Sequence, residues 1–271
     1  MITYPFSKIN IGLQITGKRM DGFHNLETIF YPIGLQDALE IIESKEFHFR
    51  TNCPEMGSFE NNLVVKAYRL LKKDYNIPSV NIYLYKNIPT GAGLGGGSSD
   101  ASHTIIMLDK LFSLNINIEK KKEYALSLGS DCPFFLENKP VFATGRGEIT
   151  EEIPICLNNY YMVLILPNVS ISTKEAYSNI SFQKEKESLK KLIQIPIEKW
   201  EGKVINQFEE YVFGKYPEVA KIKQTLYNQE ACFALMSGSG SSVYGIFQKE
   251  QKNIGSWFPE NYQTFQQKLK Y

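Results

Sequence analysis

The clearest chemical feature of the chain is a glycine run, in which five of the seven residues from Gly91 to Gly97 are glycine. Glycine lets backbone N–H groups approach a ligand closely and adopts positive φ angles at no steric cost. Ser98, Ser99 and Asp100 follow, and these residue types are favoured at helix N-caps. A helix N-terminus supplies unpaired N–H donors and the positive end of the helix dipole. The segment therefore predicts an anion site suited to phosphate.

The residues in and around the glycine run argue against several known phosphate-binding motifs. Serines follow the glycines where the P-loop pattern GxxxxGK[ST] needs a lysine. The dinucleotide pattern GxGxxG is matched from Gly91 to Gly96, but Pro89 breaks the preceding strand close to the glycines. Asp109, about 20 residues on, falls inside a helix rather than after a second strand. No HRD or DFG segment follows, which excludes a protein kinase. A Rossmann-type oxidoreductase remains a distant alternative.

Regular elements flank the glycine run and position its neighbours. Apolar residues alternate from 80 to 84 and recur at helical spacing from 101 to 112, which predicts the order strand, glycine loop, helix. Alternation from Ser7 to Ile15 predicts a strand with one buried face, so that Lys8 and Asn10 project together from the other. Further helices are predicted over 61–72, capped by Asn61 or Asn62, and over 120–128. Further strands are predicted over 141–143, 160–166, 232–236 and 242–247.

Length and composition limit the class of protein. The chain has 271 residues, a formal net charge of +1 and 43% hydrophobic residues, which excludes a disordered chain. The balanced charge argues against nucleic acid or an anionic membrane as a partner. No run of about 18 apolar residues and no signal-peptide pattern occurs. The four cysteines lack CxxC spacing and the three histidines lack metal-site spacing, so we expect a cytoplasmic protein with reduced thiols.

Several segments together resemble the GHMP kinases, the family of galactokinase, homoserine kinase, mevalonate kinase and phosphomevalonate kinase. Residues 89–101 resemble the family's ATP-binding motif, residues 128–135 its catalytic segment and residues 237–241 its third motif. Residues 8–11 and 16–24 resemble the opening of the branch that phosphorylates a cytidine-diphosphate-linked polyol. The resemblance implies a two-domain α+β fold. Residues 1–152 would form an ATP-binding domain similar to the second domain of ribosomal S5, and residues 153–271 a C-terminal GHMP domain.

The resemblance also implies a reaction, namely transfer of the γ-phosphoryl group of ATP, with Mg²⁺, to the 2-hydroxyl of that polyol in non-mevalonate isoprenoid precursor biosynthesis. Asp131 matches the family's general base and Lys8 the lysine beside it. An ammonium group beside a carboxylate keeps it ionised and stabilises developing negative charge. On residue types alone, the favoured role of Asp131 is a helix N-cap before Pro133, and the favoured role of Lys8 is a solvated strand lysine.

The binding residues follow from the same resemblance. Those implied for the nucleotide are Asn62, Lys86, Pro89, Thr90, Gly91, Ala92, Gly93, Leu94, Gly95, Gly96, Gly97, Ser98 and Ser99. Those implied for the cytidyl substrate are Asn10, Phe23, His24, Thr173 and Tyr177, with the cytosine between aromatic rings. Phe23 stands where the family usually has Tyr, and Lys174 replaces a frequent proline. The metal ligands stay open, with Ser98, Ser99 and Asp100 as candidate oxygen donors.

Two other functions compete with this reading. A GHMP kinase for homoserine or a mevalonate derivative would share the glycine run, but the segment from Asp21 to His24 favours a cytidyl substrate. A nucleotide-binding module without catalysis would need no base, and the presence of both Lys8 and Asp131 argues against it. The expected partner is the small-molecule substrate, with no nucleic acid or membrane, and the expected state is a monomer or weak homodimer.

Overall fold

A computed structural model of the chain describes residues 1–53, 59–180 and 187–271. They form two compact units, each drawn from three segments of the chain. The first unit comprises Met1–Ser7, Gly34–Pro89 and Gly95–Asn138, and the second comprises Lys8–Ile33, Thr90–Leu94 and Lys139–Tyr271. The predicted boundary between residues 152 and 153 is a different, contiguous division, and it stays a prediction.

The described part of the chain contains both strands and helices. The strands are β1 (Ile2–Thr3), β2 (Phe6–Lys18), β3 (His24–Gln36), β4 (Ala38–Ser44), β5 (His48–Thr51), β6 (Ser79–Tyr85), β7 (Val141–Thr144), β8 (Ile149–Glu152), β9 (Tyr161–Leu166), β10 (Phe233–Met236), β11 (Val243–Phe247) and β12 (Gln263–Lys268). The helices are α1 (Leu63–Tyr75), α2 (Gly96–Leu111), α3 (Ile118–Leu128), α4 (Thr173–Ser178), α5 (Leu189–Leu192), α6 (Phe208–Lys215) and α7 (Pro217–Asn228). The α+β fold class is confirmed.

The first unit is built on a four-stranded sheet in the order β1-β4-β6-β5. β4 and β6 pair antiparallel, whereas β5 and β6 pair parallel. Because strand side chains alternate between faces, Leu39, Ile41 and Ile82 lie on one face, where all three are fully buried. They belong to one hydrophobic cluster with Leu71 of α1 and Ile105 of α2. Helix α1 and helix α2, which follows the glycine run, are therefore anchored on one sheet face.

The second unit contains the antiparallel sheet β10-β11-β9-β12 and most of the sheet β2-β3-β7-β8. In the first of these sheets Met236 of β10 lies opposite Val243 of β11. This pairing confirms the predicted strands on either side of the turn 237–241. Val163 of β9, Phe208 of α6 and Ile222 of α7 share a buried cluster, which fixes the two helices on the sheet.

Strand β2 differs from its prediction in one respect. The alternation predicted one buried face, but residues from Phe6 to Ile15 are buried on both faces, including Lys8, Asn10 and Gln14 at 3%, 2% and 3% exposure. The polar face of β2 is therefore covered as well as its apolar face. A solvated role for Lys8 is thereby wrong. Among the described residues, no helix is long and apolar enough to cross a membrane.

Candidate active site

Predicted site residues occur in both units, and each unit is described by itself. The glycine loop, residues 90–99, is shared between them, because residues 90–94 belong to the second unit and residues 95–99 to the first. In the first unit α2 begins at Gly96, with Gly95 as its N-cap at φ 71°. The predicted start at Ser98, Ser99 or Asp100 is therefore wrong. Gly95 turns the chain into the helix through a left-handed conformation that serine adopts only with strain.

In the second unit the loop packs against the turn 237–241, the third motif of the sequence analysis. A Cβ placed on Gly93, whose φ is +77°, would lie 2.0 Å from the carbonyl oxygen of Ser237. The hydroxyl of Ser237 donates to the Gly93 carbonyl at 2.9 Å, and that of Ser242 donates to the Ala92 carbonyl at 2.5 Å. Glycine is thus required at residue 93 because two backbone segments meet there.

Lys8 of β2 reaches the same place. Its Nζ donates to Asn10 Oδ1 at 2.5 Å and to the Gly93 carbonyl at 3.1 Å, and it lies 5.1 Å from the centroid of the Phe30 ring. The backbone N–H of Asn10 donates to Ser237 Oγ at 3.1 Å. Burial removes water from the ammonium group, and an ammonium in a dry site interacts strongly with anionic groups. The second unit therefore brings together Lys8, Asn10, Gly93 and Ser237.

Asp131 lies in the first unit, between the C-cap of α3 at Gly129 and the 3₁₀ turn Cys132–Leu136. Its side chain is half-buried and makes no capping hydrogen bond to that turn within the described residues. Asp131 thus occupies the N-cap position before Pro133, as the alternative role expected, but its side chain does not act as the cap. The hydroxyl of Ser102 in α2 donates to the Cys132 carbonyl at 2.7 Å, which holds this segment against α2. Burial raises the pKa of the Cys132 thiol to about 12, so that it stays protonated.

Of the residues predicted to hold a cytosine ring, His24 and Tyr177 lie together in the second unit. His24 stacks on Tyr177, with ring centroids 5.4 Å apart and planes at 24°. The exposed ring of Phe23 lies under the guanidinium of Arg146, whose carbon is 4.8 Å from the ring centroid. Phe23 is 54% exposed, so it is not a core aromatic. The rings of His24 and Tyr177 are so close that a cytosine ring could lie between them only if they moved apart.

Helix α4 carries Thr173 and Tyr177 and is held at three points. The Thr173 and Ser239 hydroxyls share a hydrogen bond at 3.0 Å, and Tyr177 meets Phe208 of α6 edge to face at 4.8 Å. Glu175 accepts hydrogen bonds from the Tyr211 hydroxyl and the Lys215 ammonium of α6. Its pKa is lowered, mainly by the hydrogen bond from Lys215. The helix that supplies one wall of the predicted substrate site is thus fixed to α6.

Two residues predicted to contact the nucleotide base have structural partners in the first unit. Asn62 is the N-cap of α1, with its Oδ1 accepting from the Val64 N–H at 2.9 Å. Lys86 is buried and its ammonium contacts both Asp37 and Asp100. The nearby carboxylates raise the Lys86 pKa against the opposing effect of burial, which is the largest single influence. Roles for both residues in base binding stay predictions.

Some residues of the site were missed by sequence reasoning. Asn206 is 2% exposed, and its Nδ2 donates to the carbonyls of Met236 and Gly238, both at 2.8 Å, which braces the turn 237–241. His103 places Nδ1 2.9 Å from the Ser99 carbonyl, and burial lowers its pKa, so the ring is neutral at pH 7. Asp37 holds Lys86. A polar residue within an apolar stretch, such as Asp37 after Leu35, was the available signal.

The described residues hold no group of three or more His, Cys, Asp or Glu side chains arranged to bind a metal ion. Among the candidate donors, Asp100 is a poor fit for a cation, because the ammonium of Lys86 already lies 2.7 Å from its Oδ2. Ser98 is half-buried in the first turn of α2 and fits better as a single hydroxyl ligand. Mg²⁺ commonly takes few protein ligands and completes its shell with water and phosphate oxygens.

Comparison with known proteins agrees with this architecture. Residues 62–139 match the GHMP kinases N terminal domain, and residues 187–262 match the GHMP kinases C terminal domain. The structure is similar to that of a mevalonate kinase from Methanococcus jannaschii, with a TM-score of 0.73 at 16% identity, covering 100% of this chain and 98% of that one. Fold and sequence together define a small-molecule kinase of the GHMP class.

The relatives narrow the class further. A 4-diphosphocytidyl-2-C-methyl-D-erythritol kinase of Azobacteroides pseudotrichonymphae is 51% identical over 95% of this chain and 97% of its own length. One from Bacteroides fragilis is 50% identical over 93% of this chain and 94% of its own. A crystal structure of 4-(cytidine 5'-diphospho)-2C-methyl-D-erythritol kinase has a TM-score of 0.76 at 28% identity, covering 90% of this chain and 89% of that one. The chain belongs to the 4-diphosphocytidyl-2-C-methyl-D-erythritol kinase family.

Proposed function

We propose that this enzyme transfers the γ-phosphoryl group of ATP to the 2-hydroxyl of 4-diphosphocytidyl-2-C-methyl-D-erythritol, in the non-mevalonate route to isoprenoid precursors. The observation that carries the proposal is the ammonium of Lys8, buried at 3% exposure and donating to Gly93 of the glycine loop. A fixed cation beside a phosphate-binding loop stabilises the charge that develops in phosphoryl transfer. The relatives at about half identity act, by their names, on this substrate.

Asp131 is the proposed general base. The 2-hydroxyl oxygen attacks the γ-phosphorus, its bond to hydrogen breaks as Asp131 takes the proton, and ADP leaves with the former bridging oxygen. A base contributes typically about 10²–10⁴-fold to such a step. The residue is half-buried, so part of it stays accessible to a substrate. Lys8 would stabilise the transferring phosphoryl group.

ATP is the proposed phosphoryl donor, bound along residues 89–99 with Asn62 and Lys86 near the base. The first turn of α2 offers the N–H groups of Gly96, Gly97 and Ser98, which lack partners within a helix and therefore favour a phosphate. Mg²⁺ would neutralise charge on the β- and γ-phosphates, with Ser98 as a protein ligand.

The cytidyl end of the substrate is proposed to bind at His24, Phe23, Thr173 and Tyr177, with Asn10 beside the reacting hydroxyl. His24 and Tyr177 already stack, and a cytosine ring beside them would gain offset-stacking energy of about 0.5–1.5 kcal/mol per aromatic pair. A ring nitrogen of His24 can donate to or accept from the polar edge of cytosine. We further propose a cytoplasmic location, which the four free cysteines suit.

The deciding experiment measures ADP release with Mg²⁺-ATP while 4-diphosphocytidyl-2-C-methyl-D-erythritol, mevalonate and homoserine are offered separately. We expect turnover with the cytidyl substrate alone, and competitive inhibition of it by CMP. Turnover with mevalonate or homoserine instead would keep the kinase and overturn the cytidyl site. ATP binding without turnover on any alcohol would favour a nucleotide-binding module.

A further inference from the structure

A buried three-membered ionic cluster lies in the first unit beside the glycine loop. The ammonium of Lys86 contacts Asp37 and lies 2.7 Å from Asp100 Oδ2. The three side chains are 4%, 0% and 1% exposed, in the order Lys86, Asp37 and Asp100. Charged side chains are almost never buried to this extent unless they are paired. The cluster is defined here as the clasp.

Asp37 anchors the clasp to the strand end that leads into the glycine loop. Its Oδ1 accepts from the backbone N–H of Asn87 at 2.6 Å and of Ile88 at 2.8 Å. From the other side, Asn52 Oδ1 accepts from the Lys86 N–H at 2.7 Å and Asn52 Nδ2 donates to the Lys86 carbonyl at 3.1 Å. Residues 86–88 are therefore held in place by side chains on both sides.

Asp100 ties the same ammonium to the element that follows the loop. It lies in α2, 14 residues after Lys86, so one ammonium joins the residues on either side of the glycine loop. Gly96, the first residue of α2, packs against the clasp. A Cβ placed on Gly96 would lie 2.9 Å from Ile88 Cγ2 and 3.2 Å from Lys86 Nζ. The start of the helix and the clasp are thus in direct contact.

The clasp is a costly way to stabilise a fold. Asp100 Oδ1 is buried with no hydrogen-bond partner among the described residues, and an unsatisfied buried polar atom costs about 1–3 kcal/mol. Two carboxylates also share one ammonium. Apolar residues of similar volume often replace buried ion pairs with no loss of stability. The arrangement is better explained by geometry that it enforces than by stability that it supplies.

We propose that Asp37 and Asp100 are positioning residues for the nucleotide, which hold Lys86 so that the two sides of the glycine loop are fixed in the conformation that binds the phosphates of ATP. The inference rests on the proposed function and deepens it. A glycine-rich loop has many conformations available, and fixing its ends before binding lowers the entropy lost on binding. In this arrangement Lys86 affects nucleotide binding through the position of the glycine loop.

The test is Asp37→Asn, which keeps the side chain's size and an oxygen for the two backbone N–H groups but removes the charge facing Lys86. We expect KM for ATP to rise about tenfold or more, the scale of one lost charged hydrogen bond, with kcat and KM for the cytidyl substrate within about twofold. ADP binding, measured by calorimetry without any alcohol substrate, should weaken by the same factor.

Asp109 offers a matched control, because it lies in α2, the same helix as Asp100. Asp109 of α2 pairs with Lys121 at 2.6 Å and accepts from the Ile116 N–H at 2.9 Å, so Asp109→Asn also removes a paired carboxylate. It should lower Tm without changing KM for ATP or ADP affinity. If Asp37→Asn does not fold, Asp100→Asn is measured in the same way, because its amide oxygen can still accept from Lys86 while one anionic partner is lost.

Three results would overturn the proposal: unchanged ADP affinity in the folded variants, an equal rise of KM for both substrates, or the same loss of ADP affinity in Asp109→Asn. The calorimetric arm separates this proposal from the assignment of the reaction. If the wild-type enzyme binds ADP but does not phosphorylate the cytidyl substrate, the proposed reaction is wrong. The ADP affinity of the variants still tests the role of the clasp in that case.

Discussion

At the scale of single residues, burial and contacts distinguish side chains whose roles the sequence alone leaves open. Lys8 has its ammonium buried on Asn10 and Gly93, whereas the more numerous lysines of the surface pair weakly with exposed carboxylates such as Glu123 and Glu152. Exposed pairs contribute little, with a median near 0–1 kcal/mol, at about the level of noise in stability measurements. Lys8 is distinguished from these surface lysines by its burial and by what its ammonium contacts.

Asp131 carries the sharpest residue-scale prediction. Asp131→Ala should abolish turnover while ATP affinity stays within about tenfold, because a general base acts mainly in the transition state. Single-turnover kinetics together with nucleotide calorimetry measure the two properties. As a control, Asp109→Ala removes a carboxylate of the first unit that pairs with Lys121, and it should leave kcat in place. A kcat for Asp131→Ala near that of the wild type would show that another group takes the proton.

At the scale of elements, the glycine loop is shaped by what it packs against. Gly93→Ala should lower the free energy of unfolding by about 1–3 kcal/mol, the usual cost of a non-glycine residue in a strained conformation. Two features oppose an alanine side chain at residue 93. The backbone φ is +77°, and the carbonyl oxygen of Ser237 would lie 2.0 Å from the added Cβ. Urea denaturation measures the loss.

The same loop offers a comparison residue. A Cβ on Gly97 would meet only Leu63 Cδ1, at 3.9 Å, and Gly97 has no positive φ. Gly97→Ala should therefore leave the free energy of unfolding within about 0.5 kcal/mol of the wild type or raise it, since alanine favours the helical state. Equal losses in both variants would mean that glycine content, rather than the contact with Ser237, governs the loop.

Helix α4 gives the second element-scale prediction. Glu175→Gln weakens the contacts with Tyr211 and Lys215 that hold α4 to α6, so Tyr177 should be less well positioned. KM for the cytidyl substrate should rise about two- to fivefold, in line with a weakened charged hydrogen bond, while KM for ATP stays constant. Steady-state kinetics with each substrate varied in turn provide the measurement.

An exposed ion pair elsewhere in the second unit serves as the control for this variant. Glu151 of β8 pairs with Lys190 at 2.8 Å, and Glu151→Gln should change neither KM. A rise in KM for ATP alone with Glu175→Gln would contradict the link between α4 and the cytidyl site.

At the scale of the whole molecule, the clasp contributes to how stability depends on pH. Burial raises the pKa of Asp100 to about 7, with Lys86 opposing and Asp37 reinforcing the shift. A carboxyl whose pKa is higher in the folded state than in the unfolded state stabilises the fold below its unfolded pKa of 3.8 and loses that contribution as pH rises through 7. The free energy of unfolding of the wild type, minus that of Asp100→Asn, should therefore fall between about pH 4 and pH 7. A difference that rises over this interval would contradict the assignment.

Sequence reasoning reached the α+β class and the elements β2, β6, β7, β9, β10, β11, α1, α2 and α3, because alternation and helical spacing are local signals, and it reached the family through the resemblance of its motifs. The strands β3, β4 and β5 and the helices α4, α6 and α7 were not predicted. A helix cap at Asn61 or Asn62 was also predicted from local signals, and the structure has Asn62 as the cap. The start of α2 at Gly96 was not predicted, since it depends on a left-handed Gly95. The partners of Lys86 and the role of Asn206 were also out of reach, because they join residues far apart in the chain.

The contact between Gly93 and Ser237 has a consequence for how the enzyme is made. The two residues are 144 positions apart, and the ribosome releases them in that order. At about 5–20 residues per second, the glycine loop waits many seconds for the turn that supports it. A nascent chain stopped before residue 237 would carry the whole loop and yet lack the backbone against which it packs. Affinity for nucleotide should therefore arise late in synthesis.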